Sequence, residues 1–384
     1  MENTPFYSYD LSLLKATLDE VLAASAVGNF HVHYAVKANN NKKILKQIAK
    51  RGLGADCVSG WEIEAALEAG FEASSIVFAG VGKTDAEIEL ALRNRIGMIH
   101  CESLEEIQVI NERAEELGYV PQIALRLNPN VNALTHAKIS TGLAENKFGM
   151  TTLEFQLLLD CLDDLKSINI VGLHFHIGSQ ITDMSVFAKL CERINEIIPA
   201  YERVIGKLTY LNVGGGLGIN YEYPDFGLIP NFKAYFETFN SGLAGINLPI
   251  HFELGRSIVA QCGNLHTRVL FIKKSETKNF AIVDAGMTEL MRPALYGAKH
   301  KIEKLNTVGT VPTANYDVAG PICESSDIFA EGIELPELKR GDILVIRSCG
   351  AYAESMSLRY NGREAIGNNL EKKIKTTLRL VKTA

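Results

Sequence analysis

Residues 31–39 read His-Val-His-Tyr-Ala-Val-Lys-Ala-Asn, a short alternating run that ends on the amine of Lys37. Alternation of this kind predicts a strand, and the small and polar residues that follow place Lys37 at its end. An apolar run behind an amine partly desolvates it, which disfavours the ammonium form and leaves a nucleophile able to form a Schiff base. Taken alone, the stretch favours an ordinary surface lysine, and only the later segments reverse that interpretation.

Strands alternate with helices along most of the chain after residue 31. Apolar runs predict eight strands, at residues 31–36, 54–58, 75–78, 97–100, 122–127, 170–175, 208–213 and 250–253. Helical periodicity lies between most of them, at residues 41–51, 62–69, 85–94, 104–117 and 152–165. Eight strands over about 220 residues suit a (β/α)8 barrel of the TIM type, whose usual length is ~250 residues. A doubly wound open sheet remains possible on strand count alone.

Polar and glycine residues lie where these strands end, and this favours the barrel, because chemistry in that fold occurs at the carboxyl ends of the strands. They are Lys37, Asp56 with Ser59, and residues 126–128, 174–179, 214–216 and 253–256. Beyond residue 256 the pattern changes, and further strands are predicted at residues 265–273, 279–283, 316–318 and 342–348. We therefore predict an α/β barrel over residues 10–256 and a β-rich domain (a β-sandwich or barrel) over residues 257–384, which includes the strand near the start, in residues 1–9. The basic stretch 371–380 has a helical pattern.

A triple glycine at residues 214–216 follows the seventh predicted strand. Glycines let backbone N–H groups approach an anion, and phosphate sites recur at this place in barrels. A tight turn is an equally good interpretation of the segment. Ser179 and the amides around Gly255 are candidates for further hydrogen bonds to the same anion.

The eighth strand ends on Glu253-Leu254-Gly255-Arg256. Glu253 and Arg256 could form a surface salt bridge. Alternatively, Glu253 holds the nitrogen of a pyridine ring protonated, as the chemistry of pyridoxal phosphate requires.

Two His-x-His pairs, His31 with His33 and His174 with His176, raise the alternative of a metal site, because alternation points both members of each pair to one side. A barrel hydrolase would also need an aspartate after the eighth strand, where this chain has Glu253. We therefore expect no metal.

The composition limits the classes of partner and compartment. The chain has 384 residues, of which 47% are hydrophobic, and a net charge of −6 with both signs interspersed, which argues against nucleic acid or membrane as a partner. The seven cysteines are widely spaced without a Cys-x-x-Cys pair, so we expect free thiols in a reducing cytoplasm. No signal-peptide pattern and no apolar run of ~20 residues is visible.

Several segments resemble the fold-III pyridoxal-phosphate enzymes, in which an alanine-racemase-like barrel precedes a β domain. In the barrel half they are residues 34–39 (YAVKAN), 54–59 (GADCVS), 174–180 (HFHIGSQ), 214–216 (GGG) and 253–256 (ELGR). Residues 284–287 (DAGM), 291–297 (MRPALYG), 320–327 (GPICESSD) and 350–352 (GAY) resemble the diaminopimelate decarboxylase family within that group. The resemblance covers about residues 5–361; Leu254 departs from it, since many members have proline there.

The resemblance implies that the chain binds pyridoxal 5'-phosphate and decarboxylates meso-2,6-diaminopimelate to L-lysine and CO2, the last step of lysine biosynthesis. It implies that Lys37 forms the Schiff base with the cofactor. The other implied cofactor contacts are Asp56, His176, Ser179, Gly215, Gly216, Glu253, Gly255, Arg256 and Tyr352. The implied substrate contacts are Arg256, Arg292, Tyr296, Glu324 and Tyr352, and the implied catalytic residues are Lys37, Cys323, His176 and Glu253.

The resemblance further implies a homodimer, because in this family the cysteine and glutamate at positions 323 and 324 reach the site from the partner subunit. Either Cys323 or Lys37 would protonate the substrate carbon. Residues 135–149 resemble a loop over the site.

The residue types themselves agree with a substrate that has two amino acid ends. Arginine suits bidentate binding of a carboxylate, and Arg292 precedes a proline that fixes the backbone. Glu324 supplies the opposite charge for a distal ammonium.

Two alternatives remain. A decarboxylase of ornithine, arginine or carboxynorspermidine would need no arginine for a second carboxylate. A non-catalytic pyridoxal-phosphate carrier resembles the barrel alone.

Overall fold

A computed structural model describes residues 3–133, 135–136, 139–141, 147–307 and 311–369. The chain forms two compact units. One comprises Lys15–Ile219 and Gly227–Val259, and the other comprises the described residues of Met1–Leu14, Asn220–Phe226 and Ala260–Ala384. The boundary predicted between residues 256 and 257 stays a prediction about folding domains. The helical stretch predicted at residues 371–380 lies outside the described residues.

The chain begins with β1 (Phe6–Tyr9) and α1 (Leu11–Ser25). Eight parallel strands then close into a barrel in chain order: β2 (Phe30–Ala35), β3 (Gly54–Cys57), β4 (Ile76–Phe78), β5 (Met98–Cys101), β6 (Gln122–Arg126), β7 (Asn169–His174), β8 (Tyr210–Asn212) and β9 (Ile250–Leu254). Between them lie α2 (Lys42–Ala49), α3 (Gly60–Ala69), α4 (Asp85–Arg93), α5 (Leu104–Leu117), α6 (Thr152–Cys161), α7 (Met184–Ile205) and α8 (Phe232–Gly242). Each predicted barrel strand overlaps an observed one, and the predicted barrel fold is confirmed.

Side-chain caps start several of the outer helices. Ser59 accepts a hydrogen bond from the N–H of Glu62 at the start of α3. Thr84 forms a reciprocal capping box with Glu87 at the start of α4. A cap of this kind contributes about 1 kcal/mol to stability. These caps therefore fix where each of these helices begins.

Two apolar layers stabilise the barrel. Inside it, the buried side chains of Val77, Met98, Ala124, Val171 and Tyr210 pack together. Outside it, aromatic rings of α7, α8 and β9 form a second cluster, whose members are Phe187, Tyr235, Phe236, Phe239 and Phe252. Burial of each such ring stabilises the fold by about 1.5–3 kcal/mol.

The second unit contains a mixed sheet. After the short helix α9 (Arg256–Val259) of the barrel unit come β10 (Gly263–Lys274), β11 (Asn279–Val283), α10 (Arg292–Tyr296), β12 (Ile302–Lys304), β13 (Thr313–Ala319), β14 (Ile328–Pro336), β15 (Ile343–Ile346) and β16 (Asn368–Asn369). The strand order is β12-β15-β10-β11-β13-β14, with β1 paired to both β10 and β16. The predicted β-rich character is confirmed, although β12 and β14 were not among the predicted strands.

Residues 220–226 join the β-rich unit although barrel elements precede and follow them in the chain. The backbone N–H of Lys301 donates to the carbonyl of Tyr221 at 3.2 Å. Asp225 forms ion pairs with Lys301 at 3.0 Å and Arg347 at 3.1 Å.

Across the described part of the chain, none of the helices combines the length and the apolar character that a bilayer crossing requires.

Candidate active site

The predicted barrel residues all lie at or just after the carboxyl ends of strands. Lys37 lies in the 3-10 turn Val36–Ala38 that directly follows β2. The observed strand ends at Ala35, one residue earlier than the predicted strand. The others are Asp56 in β3, His176 and Ser179 after β7, Gly215 and Gly216 after β8, Glu253 in β9, Gly255 after β9 and Arg256 at the start of α9.

Lys37 and Asp56 form an ion pair. The Lys37 side chain is 34% exposed and that of Asp56 is completely buried. Burial, and then the charge of Glu253, raise the pKa of Asp56, while Lys37 acts in the opposite direction. Asp56 Oδ2 accepts from Lys37, and Asp56 Oδ1 is buried without a hydrogen-bond partner among the described residues. The amine therefore lies beside a desolvated carboxyl group that has spare acceptor capacity.

Glu253 is a buried carboxylate surrounded by polar groups of the barrel interior. Asn212 Nδ2 donates to its Oε1 at 3.0 Å, and His174 Nε2 lies 3.3 Å from its Oε2. His100 Nδ1 lies 3.3 Å from Oε1, outside good hydrogen-bond geometry, and His176 Nδ1 lies 4.0 Å from Oε2. Burial alone would raise the pKa of Glu253, but His174 and His100 hold it well below its ordinary value.

His174 stabilises this carboxylate as a neutral donor. Burial, and then His100, lower the pKa of His174 well below its ordinary value, so its imidazole carries no charge at neutral pH. The contact from His174 Nε2 to Oε2 is therefore one of the interactions that favour the ionised form of Glu253.

His176 is also neutral. The N–H of Gly215 donates to His176 Nδ1 at 3.3 Å. Burial, and then Arg126, lower the pKa of His176 to about 3. Its side chain remains 21% exposed, so a neutral ring with part of its surface open lies beside Glu253.

The triple glycine allows close approach of backbone to backbone. Gly214 and Gly216 have φ values of +71° and +104°, which side chains other than glycine rarely adopt. A Cβ on Gly216 would lie 2.7 Å from the carbonyl oxygen of Gly178. A Cβ on Gly215 would overlap the carbonyl oxygen of Glu253.

Arg256 lies near this turn. Its Nη2 donates to Ser179 Oγ at 3.0 Å, and the guanidinium is buried. Gly255 precedes it, and a Cβ there would lie 2.9 Å from Ala38 Cβ. A positive group, a hydroxyl and glycine amides are the donors that a phosphate needs.

Arg292, a predicted residue of the β-rich unit, is oriented by aromatic and imidazole neighbours. Arg292 is buried, its Nη1 lies 2.6 Å from His300 Nε2, and its guanidinium carbon lies 4.2 Å from the centre of the Tyr221 ring. Tyr296 is the last residue of the same helix, α10.

Cys323 and Glu324 are exposed neighbours on the loop between β13 and β14. The N–H of Cys323 donates to Asn361 Oδ1 at 3.2 Å, and Tyr360 Oη donates to Glu324 Oε1 at 2.7 Å. Tyr352 lies after β15 with φ of +55°.

Sequence reasoning missed the polar residues inside the barrel. His100, Tyr210 and Asn212 lie in strands that were predicted from apolar runs, and the Arg126–Glu102 ion pair is likewise buried. A polar residue within an apolar strand is the one signal that could have identified them.

The described end of the predicted loop 135–149 contacts that ion pair. The Phe148 ring centre lies 4.6 Å from the Arg126 guanidinium, and the N–H of Gly149 donates to Glu102 Oε2 at 2.8 Å. Parts of this loop lie outside the described residues.

His100, His174 and Glu253 are close enough together to be considered as a metal site, since their candidate ligand atoms lie within 4.8 Å of one another. The two imidazoles stack, however, with centres 4.0 Å apart and planes within 19°. Lone pairs in nearly parallel stacked rings cannot converge on one ion, so this arrangement is not a preformed metal centre.

This parallel barrel has a lysine–carboxylate pair, a glycine turn and a buried glutamate at the carboxyl ends of its strands. It is therefore typical of barrel enzymes, whose active sites lie at that end of the barrel. Residues 17–260 match the family described as pyridoxal-dependent decarboxylase, pyridoxal binding domain. The chain therefore belongs to the pyridoxal-dependent decarboxylases.

Relatives extend the similarity to nearly the whole chain. The diaminopimelate decarboxylase of Bacteroides thetaiotaomicron is 50% identical over 363 residues, which cover 94% of each protein. The crystal structure of diaminopimelate decarboxylase from Helicobacter pylori complexed with L-lysine has a TM-score of 0.86 and 39% identity, covering 96% of this chain and 92% of that one. The corresponding M. jannaschii structure in co-complex with L-lysine has a TM-score of 0.87 and 35% identity, covering 94% of this chain and 86% of that one.

The barrel residues fit the cofactor that gives the family its name. Asp56 Oδ1 is a buried acceptor without a partner among the described residues, next to the amine of Lys37. Glu253 is an ionised acceptor suited to a protonated ring nitrogen, and Arg256 with Ser179 beside the glycine turn supplies donors for a phosphate.

Proposed function

We propose that this protein binds pyridoxal 5'-phosphate covalently through Lys37 and decarboxylates meso-2,6-diaminopimelate to L-lysine and CO2. The observation that carries the proposal is the Lys37–Asp56 pair in the same barrel end as ionised Glu253, in a chain 50% identical to a diaminopimelate decarboxylase. The enzyme would be a carbon–carbon lyase in the last step of lysine biosynthesis.

Pyridoxal phosphate, when bound, supplies an electron sink for the pair left behind as CO2 departs. Lys37 would hold the cofactor through Nζ, and Asp56 would order that amine. Glu253 would keep the ring nitrogen protonated, and the neutral ring of His176 would pack against the cofactor.

The phosphate would be held by Arg256, Ser179 and the amides of Gly215, Gly216 and Gly255. The hydrogen bond between Arg256 and Ser179 supports this assignment, because it holds a cation and a hydroxyl together near the glycine turn. Tyr352 would contact both cofactor and substrate.

Arg292 would bind the carboxylate that remains in the product, with Tyr296 and Arg256. The preset orientation of Arg292 by His300 and Tyr221 supports that role, because a guanidinium held in place loses little entropy when it binds a carboxylate. Glu324 would bind the distal ammonium, and Cys323 or Lys37 would return the proton to the substrate carbon.

We also propose a homodimer in which Cys323 and Glu324 of one subunit complete the site of the other. Both residues are exposed in the single chain, which leaves them accessible to a second copy. The seven cysteines are all free, which supports a reducing, cytoplasmic location.

The decisive experiment offers purified protein a panel of diamino acids and identifies the products. Release of CO2 with formation of L-lysine from diaminopimelate is expected. A protein that takes up pyridoxal phosphate yet releases no CO2 would instead be a carrier, and one that prefers ornithine or arginine would be a sister decarboxylase.

Replacement Arg292→Ala tests the choice of substrate. Loss of a charge-assisted, bidentate contact should lower kcat/KM for diaminopimelate by roughly 100-fold. The matched control is Arg340→Ala, which removes an exposed arginine of the same unit and should leave turnover unchanged. Equal activity of the two variants would favour a substrate without a second carboxylate.

A further inference from the structure

An array of buried polar groups lies next to Glu253 inside the barrel. Tyr210 Oη lies 3.0 Å from His100 Nε2 and 3.1 Å from Asn212 Nδ2. Asn212 Nδ2 also donates to Glu253 Oε1 at 3.0 Å, and His100 Nδ1 lies 3.3 Å from the same oxygen. All four side chains are buried.

The donors and acceptors of this array can be joined in one continuous chain. Asn212 Oδ1 accepts from the N–H of Gly214 at 2.8 Å, which fixes the orientation of the amide. Its Nδ2 can then only donate, so Tyr210 Oη accepts from Asn212, and donation of the Tyr210 proton to His100 Nε2 continues the chain. With Nε2 as the acceptor, His100 has a proton on Nδ1, the nitrogen that faces Glu253.

This arrangement leaves the two carboxylate oxygens of Glu253 in different surroundings. Oε1 lies between Asn212 Nδ2 and His100 Nδ1, whereas Oε2 has His174 Nε2 at 3.3 Å and His176 Nδ1 at 4.0 Å. A carboxylate has about four acceptor positions, so Oε2 keeps the capacity for one more donor.

We propose that Tyr210 and His100 are positioning residues that act through Glu253, holding its carboxylate ionised and turned so that Oε2 binds the ring nitrogen of the cofactor. The inference rests on the proposed function, in which Glu253 contacts that nitrogen.

The other groups near Glu253 do not replace this array. Burial lowers the pKa of His33, His174, His176 and His251, so these four histidines are neutral at pH 7.

The nearby cations have carboxylates of their own. Lys37 pairs with Asp56, and Arg126 pairs with Glu102. The direct polar contacts of Glu253 are thus with Asn212 and His174, not with either cation.

Replacement Tyr210→Phe removes one hydroxyl and keeps the ring, and Tyr235→Phe is a matched control. Tyr235 is also buried in the barrel unit, and its hydroxyl has no hydrogen-bond partner among the described residues. The Kd of each apoprotein is measured for pyridoxal phosphate and for its carbocyclic analogue, in which a CH replaces the ring nitrogen. Should Tyr210→Phe fail to fold, His100→Gln gives the same comparison.

Wild type and Tyr235→Phe should prefer pyridoxal phosphate over the analogue. Tyr210→Phe should lose about tenfold of that preference, which corresponds to about 1.4 kcal/mol, the order of one net hydrogen bond. A role in packing alone would weaken both ligands equally, so equal losses, or no loss, would overturn the inference.

Two wild-type results separate this inference from the proposed function. If wild type binds neither ligand, the proposed function fails and the inference fails with it. If it binds both with one affinity, the cofactor proposal stands, whereas the role of Glu253 and of its positioning residues is refuted.

Discussion

Acidification should destabilise the barrel through a pair of histidines, His33 and His251. His33 Nδ1 donates to the carbonyl of Ser75 at 3.0 Å, so its Nε2 accepts from His251 Nδ1 at 2.8 Å. Burial is the main cause that lowers the pKa of His33 from 6.5 to about 4 and that of His251 to about 2. Both pKa values lie below the histidine pKa of the unfolded chain. The stability that depends on these two neutral imidazoles is therefore fully present above pH 6.5 and is lost as the pH falls toward 4.

The magnitude follows from proton linkage. At pH 5 the unfolded chain binds a proton at each histidine that the folded barrel excludes, which costs about 2 kcal/mol per histidine relative to pH 7.5. The pair should therefore lower the free energy of unfolding by about 4 kcal/mol over this range. Replacement His251→Phe keeps a ring against Tyr210 and removes one of the two titrating groups, so it should remove about 2 kcal/mol of the pH dependence.

The assay is urea unfolding at several pH values between 7.5 and 5, followed by the fluorescence of Trp61. This is the single tryptophan of the chain and lies in α3 of the barrel unit, so the signal reports barrel unfolding. Tyr235→Phe is the control, because burial raises the pKa of Tyr235 well above 10 and nothing that titrates in this range is removed. If His251→Phe and wild type lose the same free energy between pH 7.5 and 5, the barrel does not exclude these protons and the reasoning is refuted.

Two further replacements test the site. Gly216→Ala should weaken binding of pyridoxal phosphate and lower the free energy of unfolding by about 1–2 kcal/mol, because φ of +104° disfavours a Cβ and that Cβ would also meet the carbonyl of Gly178. Gly118→Ala is the control: Gly118 also has a positive φ but nothing lies near its Cβ, so this replacement should lower the free energy of unfolding without weakening cofactor binding. Glu253→Gln keeps the shape and removes the charge, so kcat should fall by about 100-fold or more while bound cofactor can still be seen by its absorbance; unchanged kcat would show that no ionised group is needed at this position.

The barrel could be predicted because its strands are short apolar runs that end on polar residues, and that pattern depends on local sequence alone. The β-rich unit was harder to predict. Ile302–Lys304 has only three residues, two of them charged, and Ile328–Pro336 contains a glycine with positive φ, so neither shows regular alternation.

The inner polar array could not be predicted for a different reason. Which residues of a buried strand face one another depends on the register between strands, such as His174 opposite Asn212 and Asn212 opposite His251. Register is set by closure of the whole barrel. Lys37, Glu253 and Arg256 were identifiable because they lie at strand ends, whereas His100 and Tyr210 lie within strands, where their partners are remote in sequence.

The placement of residues 220–226 has a practical consequence for protein engineering. Because this segment belongs with the β-rich unit, the chain passes between the units four times, at residues 14/15, 219/220, 226/227 and 259/260. A chimera that exchanges the C-terminal portion with that of a relative must transplant this small insert as well, or it will separate Tyr221 from the Arg292 guanidinium that packs on it. A single crossover point, the usual choice for recombining two modules, would therefore give a mismatched hybrid.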